Sequence, residues 1–287
     1  MLNYHRVLPE VPFNPFRTIV SVETFERQLE DLMQHYQVTS LQAGIVDHHQ
    51  PETRVAITFD DGCRDNYDFA FSILRKKGLT ATFCVVTDLV DQQLPMWDWE
   101  VMCRICGQSA LEEIDAGSLR FRRSLNEDPE SFAYRVIEQL KQSTRLELNR
   151  ALGNLRAHTS KDIDTLLADS KSMSWEEARV LRENGMEIGA HGVSHRSLAQ
   201  VPIADAILEI TKSKREIENH LGVPCVHFAF PFGTVRDYNS ALVGVVKESG
   251  FRTCMLAKHG LNIIAPNTFC LNRITIDEDT NVKYLLG

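Results

Sequence analysis

Apolar residues fall in two rhythms along the chain. Short runs rich in branched and aromatic side chains, such as Val55-Ala-Ile57-Thr-Phe59 and Thr80-Ala-Thr-Phe-Cys-Val-Val86, predict strands. Met186 to Ala190, Val226 to Phe230, Thr253 to Ala257 and Cys270 to Ile276 continue the series. Between them the spacing lengthens to three and four residues. Phe25, Leu29, Leu32, Met33 and Tyr36 form a helical stripe after Ser21. Ser174-Trp-Glu-Glu177 is a capping box opening a helix that stops near Gly185. Residues 203–221 predict a helix ended by Gly222, and 237–249 another ended by Gly250.

Strands alternating with helices predict an α/β domain with a parallel sheet. Residues 94–172 break the alternation. There Phe132, Val136 and Leu140, then Leu148, Leu152 and Leu155, recur at helical spacing. The stretch reads as a helical insertion between two strands of a single domain spanning 1–287, not as a domain of its own.

The polar residues at the strand ends add chemistry. Asp60-Asp61-Gly62, His191 and Pro231-Phe-Gly233 each follow a predicted strand. In a parallel α/β barrel those ends share one face, so residues more than 130 positions apart can meet. Adjacent side chains of a strand point oppositely, so two aspartates serve one site only if the chain turns, which Gly62 permits. His191 and His195 stand four apart, the spacing that puts two imidazoles on one face of a helical turn. Each motif alone also has a structural reading: an Asp-Asp-Gly turn, or one core histidine and one surface histidine. Together, two imidazoles and a carboxylate make a mixed ligand set for a divalent ion, with zinc favoured and cobalt, nickel or iron(II) also suited. A carboxylate outside the ligand set can then accept a proton from water.

Composition narrows the partners. The 287 residues carry a net charge of −8 and no long basic run, which argues against nucleic acid and anionic membranes. No apolar run is long enough for a transmembrane helix. The first residues lack the pattern of a signal peptide, so a reducing cytoplasm is the simplest expectation. Seven cysteines, an odd number, form no disulfide framework, and Cys103-Arg-Ile-Cys106 reads as two thiols one helical turn apart. Cys63 reads as packing.

These motifs resemble the polysaccharide deacetylase, or NodB-homology, family of carbohydrate esterases. Thr58-Phe-Asp-Asp-Gly62 matches its first motif, His191-Gly-Val-Ser-His195 its second, and Phe230-Pro-Phe-Gly233 part of its third. Leu2-Asn-Tyr-His5, Ala81-Thr-Phe83 and Leu271-Asn-Arg-Ile274 extend the likeness over most of residues 1–277 outside the insertion. The resemblance implies a distorted (β/α)7 barrel and a hydrolase that removes an N-acetyl group from a sugar in a polysaccharide or a lipid-linked glycan intermediate. It implies Asp61, His191 and His195 as metal ligands, Asp60 as base, and the Phe232 N–H, beside Pro231 at the substrate, as an oxyanion donor. Ser194 would bond within the metal loop.

Two departures stand out. The arginine that opens the family's third motif is replaced by Ala229, and Arg273 is the candidate substitute, paired with Asp60. The late Leu-x-His motif has one extra residue in Leu256-Ala-Lys-His259, which leaves His259 as the nearest candidate acid. His5, after the first strand, would face the same cavity, and Trp97 or Trp99 would stack on the sugar. Asp98 is a weaker candidate for a hydroxyl or ammonium, and His227 is expected to be structural. Alternatives are a deformylase or amidohydrolase on a formamido sugar or small cyclic amide, or a glycan-binding protein that has lost catalysis. Oligomeric state is left open.

Overall fold

A computed structural model describes residues 1–11, 13–46, 54–108, 111–168, 170–262 and 267–285. Its main sheet has seven strands, all parallel, drawn from Leu2–Tyr4, Ile57–Phe59, Thr82–Val85, Glu187–Ala190, His227–Ala229, Thr253–Met255 and Ile274–Thr275. From edge to edge the order is Thr253–Met255, His227–Ala229, Glu187–Ala190, Thr82–Val85, Ile57–Phe59, Leu2–Tyr4, Ile274–Thr275. The sheet curls, and a parallel bridge ties Met255 of one edge strand to Leu271, in the segment that leads into the other. This is the distorted barrel the sequence predicts.

The strands are largely buried on both faces, as a sheet covered by helices requires. The core between sheet and helices is aromatic at its centre. Phe59 stacks on Phe83 with ring centroids 4.8 Å apart, and Tyr4 and Phe25 pack around Phe59. Helix Val22–His35 buries Phe25, Leu29 and Leu32 against this core and is capped by Ser21, whose side chain accepts from the Thr24 N–H. The box predicted at Ser174 and Glu177 opens helix Trp175–Glu183. Helix Ile203–Leu221 ends at Gly222. Helix Ser240–Glu248 starts later than the apolar pattern predicts, because Asn239 caps it and Asp237 is buried accepting from the hydroxyls of Ser197 and Thr234.

The stretch 94–172 has its own apolar core. Val101, Ile105, Phe132, Val136, Leu140 and Leu155 pack together in helices Trp97–Cys106, Pro129–Leu140 and Arg145–His158. Its ends meet: the Ser172 N–H donates to Leu94 O at 2.9 Å. It also contains an antiparallel pair, Glu113–Asp115 with Arg120–Arg122, where helix alone was expected. Ile114 and Phe121, paired across that ladder, face the same core, which a helix of this length could not align. Cys103 and Cys106 lie one turn apart as free thiols. No helix among the described residues is long and apolar enough to cross a membrane.

At the N-terminal ends of the strands, Glu187 ties them together. It accepts from the N–H groups of Leu41 and Gln42 and from the Thr82 hydroxyl, and lies 3.7 Å from His227 Nε2. His227 is buried in its strand, with Nδ1 on Thr253 Oγ1. Burial acts to raise the Glu187 carboxyl, but His227, Thr82 and the Gln42 amide outweigh it and hold it at about 2. An unfolded glutamate titrates near ~4.3. Stability from this group is therefore complete above about pH 4.3 and is lost as pH falls toward 2. Glu187→Gln should flatten the acid limb of the unfolding free energy against pH and cost on the order of 2 kcal/mol at neutral pH. Denaturant titrations from pH 7 to 3 check this, and an unaltered acid limb would contradict it.

Candidate active site

The site occupies the C-terminal ends of the strands, under the insertion. Strand Ile57–Phe59 ends at Asp60, and the Asp60 N–H is held by Tyr4 O at 3.0 Å. Asp61 then adopts φ +75 and Gly62 φ +71, so the chain turns between the two carboxylates. A Cβ on Gly62 would sit 2.9 Å from Val85 Cγ1, so glycine serves both the turn and the close approach of the neighbouring strand.

His191 follows strand Glu187–Ala190, and its Nδ1 lies 2.9 Å from Ala229 O. The segment from His191 to His195 is a loop, not the helical turn its spacing suggests. Gly192 has φ +75 and His195 φ +52, and Glu209 of helix Ile203–Leu221 accepts from the N–H groups of Val193 and Ser194 and from the Ser194 hydroxyl. The buried Glu209 thus folds the loop from inside. Asp61 Oδ1 lies 3.5 Å from His191 Nε2 and 3.5 Å from His195 Nε2. One ligand atom from each of these three residues falls within 4.8 Å of the others.

Asp60 lies to one side of this set and is held differently. Arg273 clasps it with two hydrogen bonds, Nη1 to Oδ1 at 2.8 Å and Nη2 to Oδ2 at 2.6 Å. Asn3 Nδ2 donates to Oδ2 at 3.1 Å, and Asn3 Oδ1 accepts from Arg273 Nη1. Burial acts to raise the Asp60 carboxyl, but the Arg273 guanidinium overrides it and holds the group well below the usual carboxylate range. Asp61 goes the other way: burial, with Asp98 and Asp60 nearby, pushes it well above that range. Desolvation lowers both His191 and His195, leaving neutral imidazoles, the form that binds metal.

A cavity of about 350 Å³ opens over Asp60, Asp61, His191 and His195. Phe16, Met96, Trp99, Tyr134 and Ile137 give it apolar walls, three of them from the insertion helices. His5 lines it, with a buried Nδ1 that has no hydrogen-bond partner among the described residues. Burial lowers the His5 imidazole to about 4, partly offset by Asp60. Phe232 has φ +60 and lays its ring 4.5 Å from that of His195.

Three expectations change here. His259 is exposed on the loop after Thr253–Met255, where the extra residue carries it outside the cavity lining. Trp97 is buried and donates its indole N–H to His195 O, so Trp99, two residues on, presents the ring at the cavity wall. Pro231 is buried behind Gly192 instead of facing the cavity.

Several residues of the site carried no strong sequence signal. Asn3 lies in the Leu2-Asn-Tyr-His5 signpost but had no assigned role. Asp65 accepts from Arg6 and the Val7 N–H, and Asn66 donates to His5 O at 2.7 Å, fastening the segment that carries His5. Glu209 looks like any polar residue of an amphipathic helix.

A family model for polysaccharide deacetylase matches residues 47–254. The chain belongs to the polysaccharide deacetylase family. It is accordingly a hydrolase of non-peptide carbon–nitrogen bonds. Among solved structures, the Streptococcus pyogenes deacetylase PplD in complex with acetate is similar at 19% identity and a TM-score of 0.65, over 99% of this chain and 95% of that one. IcaB from Ammonifex degensii is similar at 20% identity and 0.60, over 97% and 91%. A de-N-acetylase from Aggregatibacter actinomycetemcomitans is similar at 17% and 0.60, over 99% and 98%. At these identities the likeness shows a shared fold. Among curated proteins none matches.

The Arg273–Asp60 pair gives a direct test of the geometry. Arg273→Met leaves Asp60 buried with Asn3 alone and should cost about 3–5 kcal/mol of stability. Arg273→Met combined with Asp60→Asn should recover most of that loss. Denaturant unfolding of the three variants checks it, and a single variant as stable as the parent would contradict the pairing.

Proposed function

We propose that this deacetylase removes an N-acetyl group from an amino sugar with the help of a divalent ion, zinc being the ion its donor set suits best. The observation that carries the reading is the division between the two aspartates. Asp60 is neutralised by Arg273, whereas Asp61 faces two neutral imidazoles and lacks a cation. Buried carboxylates without a positive partner are costly, and two nitrogen ligands beside one oxygen ligand fit zinc, cobalt or iron(II). The residues present therefore fit a metal, with Asp61, His191 and His195 as its holders. Bound there, the ion would polarise the acyl carbonyl and acidify water.

The chain's own residues supply the rest. Asp60, kept ionised by Arg273 and oriented by Asn3, accepts the proton of the attacking water. The Phe232 N–H, held in place by the left-handed backbone there, donates to the carbonyl oxygen as charge builds on it. A proton must then reach the leaving nitrogen. His5 takes the role first expected of His259. Its side chain lines the cavity, and burial keeps it neutral at rest, so the proton it passes on arrives from water by way of Asp60. Trp99, with Phe16 and Tyr134, packs against the sugar face and narrows access from the insertion side. Arg273 answers the gap at Ala229, and with it the reason to suspect a protein without catalysis. Domain organisation follows the same reading: one catalytic domain over 1–287, with 94–172 as an insertion that shapes the pocket.

Release of acetate from N-acetylglucosamine oligomers and from a lipid-linked N-acetyl sugar tests this proposal. Release should stop with a chelator and return with added zinc or cobalt. Asp60→Asn should lower kcat by about 10²–10⁴ while leaving metal content unchanged. Chelator-insensitive release, or full activity in Asp60→Asn, would sink it.

A further inference from the structure

The first helix of the insertion, Trp97–Cys106, places two consecutive residues of its opening turn on His195. Trp97 Nε1 donates to His195 O at 2.9 Å. Asp98 Oδ2 lies 3.5 Å from His195 Nδ1, while Asp98 Oδ1 accepts from the Trp99 N–H at 2.8 Å. His195 Nδ1 is buried and makes no hydrogen bond of normal geometry among the described residues. The two imidazoles of the site are thus supported unequally. His191 Nδ1 rests on a barrel carbonyl, Ala229 O, whereas His195 Nδ1 has a carboxylate of the insertion 3.5 Å away.

Tautomer chemistry gives that carboxylate a task. A neutral imidazole carries one proton, so His195 can turn a lone pair at Nε2 toward Asp61 only if its proton sits on Nδ1. A buried N–H needs an acceptor. We propose that Asp98 is the positioning residue for His195: it accepts the Nδ1 proton, fixes the ligating tautomer, and makes divalent-cation binding depend on the insertion. Ion pairing points the same way. Asp60 is clasped by Arg273, whereas neither Asp61 nor Asp98 makes an ion pair with a lysine or arginine among the described residues, and a divalent ion would serve both. The insertion is then part of the metal site as well as a wall of the pocket.

This rests on the reading of Asp61, His191 and His195 as ligands. The test is titration of metal-free protein with Zn²⁺ by calorimetry and with Co²⁺ by visible absorption. Asp98→Asn should weaken binding of both ions about 10–100-fold. Melting of the metal-free variant should not fall, because Asp98→Asn keeps the oxygen that accepts from the Trp99 N–H; a purely structural role would lower it. Asp98→Glu, which keeps the acceptor, should restore part of the affinity. If Asp98→Asn does not fold, Asp98→Ser replaces it. In a His195→Ala background, Asp98→Asn should cause no further loss. Parental affinity in Asp98→Asn, or an equal loss without His195, overturns the inference while the ligand reading stands. A parent protein that binds neither ion overturns the ligand reading, and this inference with it.

Discussion

Like charges crowded into a small buried space set the terms for the C-terminal end of this barrel. Asp60, Asp61 and Asp98 gather around two imidazoles under the insertion. In a low-dielectric interior such a cluster persists only if each charge finds a partner. Asp60 finds Arg273, buried at the start of the last barrel strand, and Asn3 from the first strand locks both. Pairing strands from the two ends of the sequence therefore does two jobs: it completes one edge of the sheet and it sets Arg273 against Asp60. Asp61 and Asp98 face imidazoles and make no ion pair with a lysine or arginine among the described residues, and that imbalance is the ground on which a cation is proposed here.

The backbone bears the strain of this arrangement. Left-handed conformations are rare for non-glycine residues, yet Asp61, His195 and Phe232 all adopt one. Each sits in the segment that follows a strand of the barrel, and each residue lines the cavity. Each is held by contacts from another element: the close strand at Val85 behind Gly62, Glu209 inside the histidine loop, and the Trp97 and His195 rings around Phe232.

The strand ends and their polar residues were legible in the sequence because a parallel barrel gathers them whatever lies between. Asp60 and Arg273 could be matched because the family pattern calls for an arginine beside this aspartate and Ala229 leaves that place empty. What the sequence could not give depends on rotation and loop path. Trp97 and Trp99 are two apart on one helix and so point to different sides, and only packing decides which ring faces the cavity. His259 looked close to a family histidine, but one added residue sends it to solvent. The histidine pair had the right spacing for a helical turn, and a glutamate 14 positions further on folds it into a loop instead. The strand pair in the insertion was hidden because its short runs carry no helix-breaking signal stronger than Gly117.

Crystals equilibrated with zinc and measured at the zinc absorption edge examine the core of this account. A single strong anomalous peak should lie ~2.0–2.2 Å from a carboxylate oxygen of Asp61 and from Nε2 of both His191 and His195, with Asp60 outside the inner sphere and still clasped by Arg273. A peak elsewhere in the molecule, or one in which Asp60 displaces Asp61 as ligand, would contradict it.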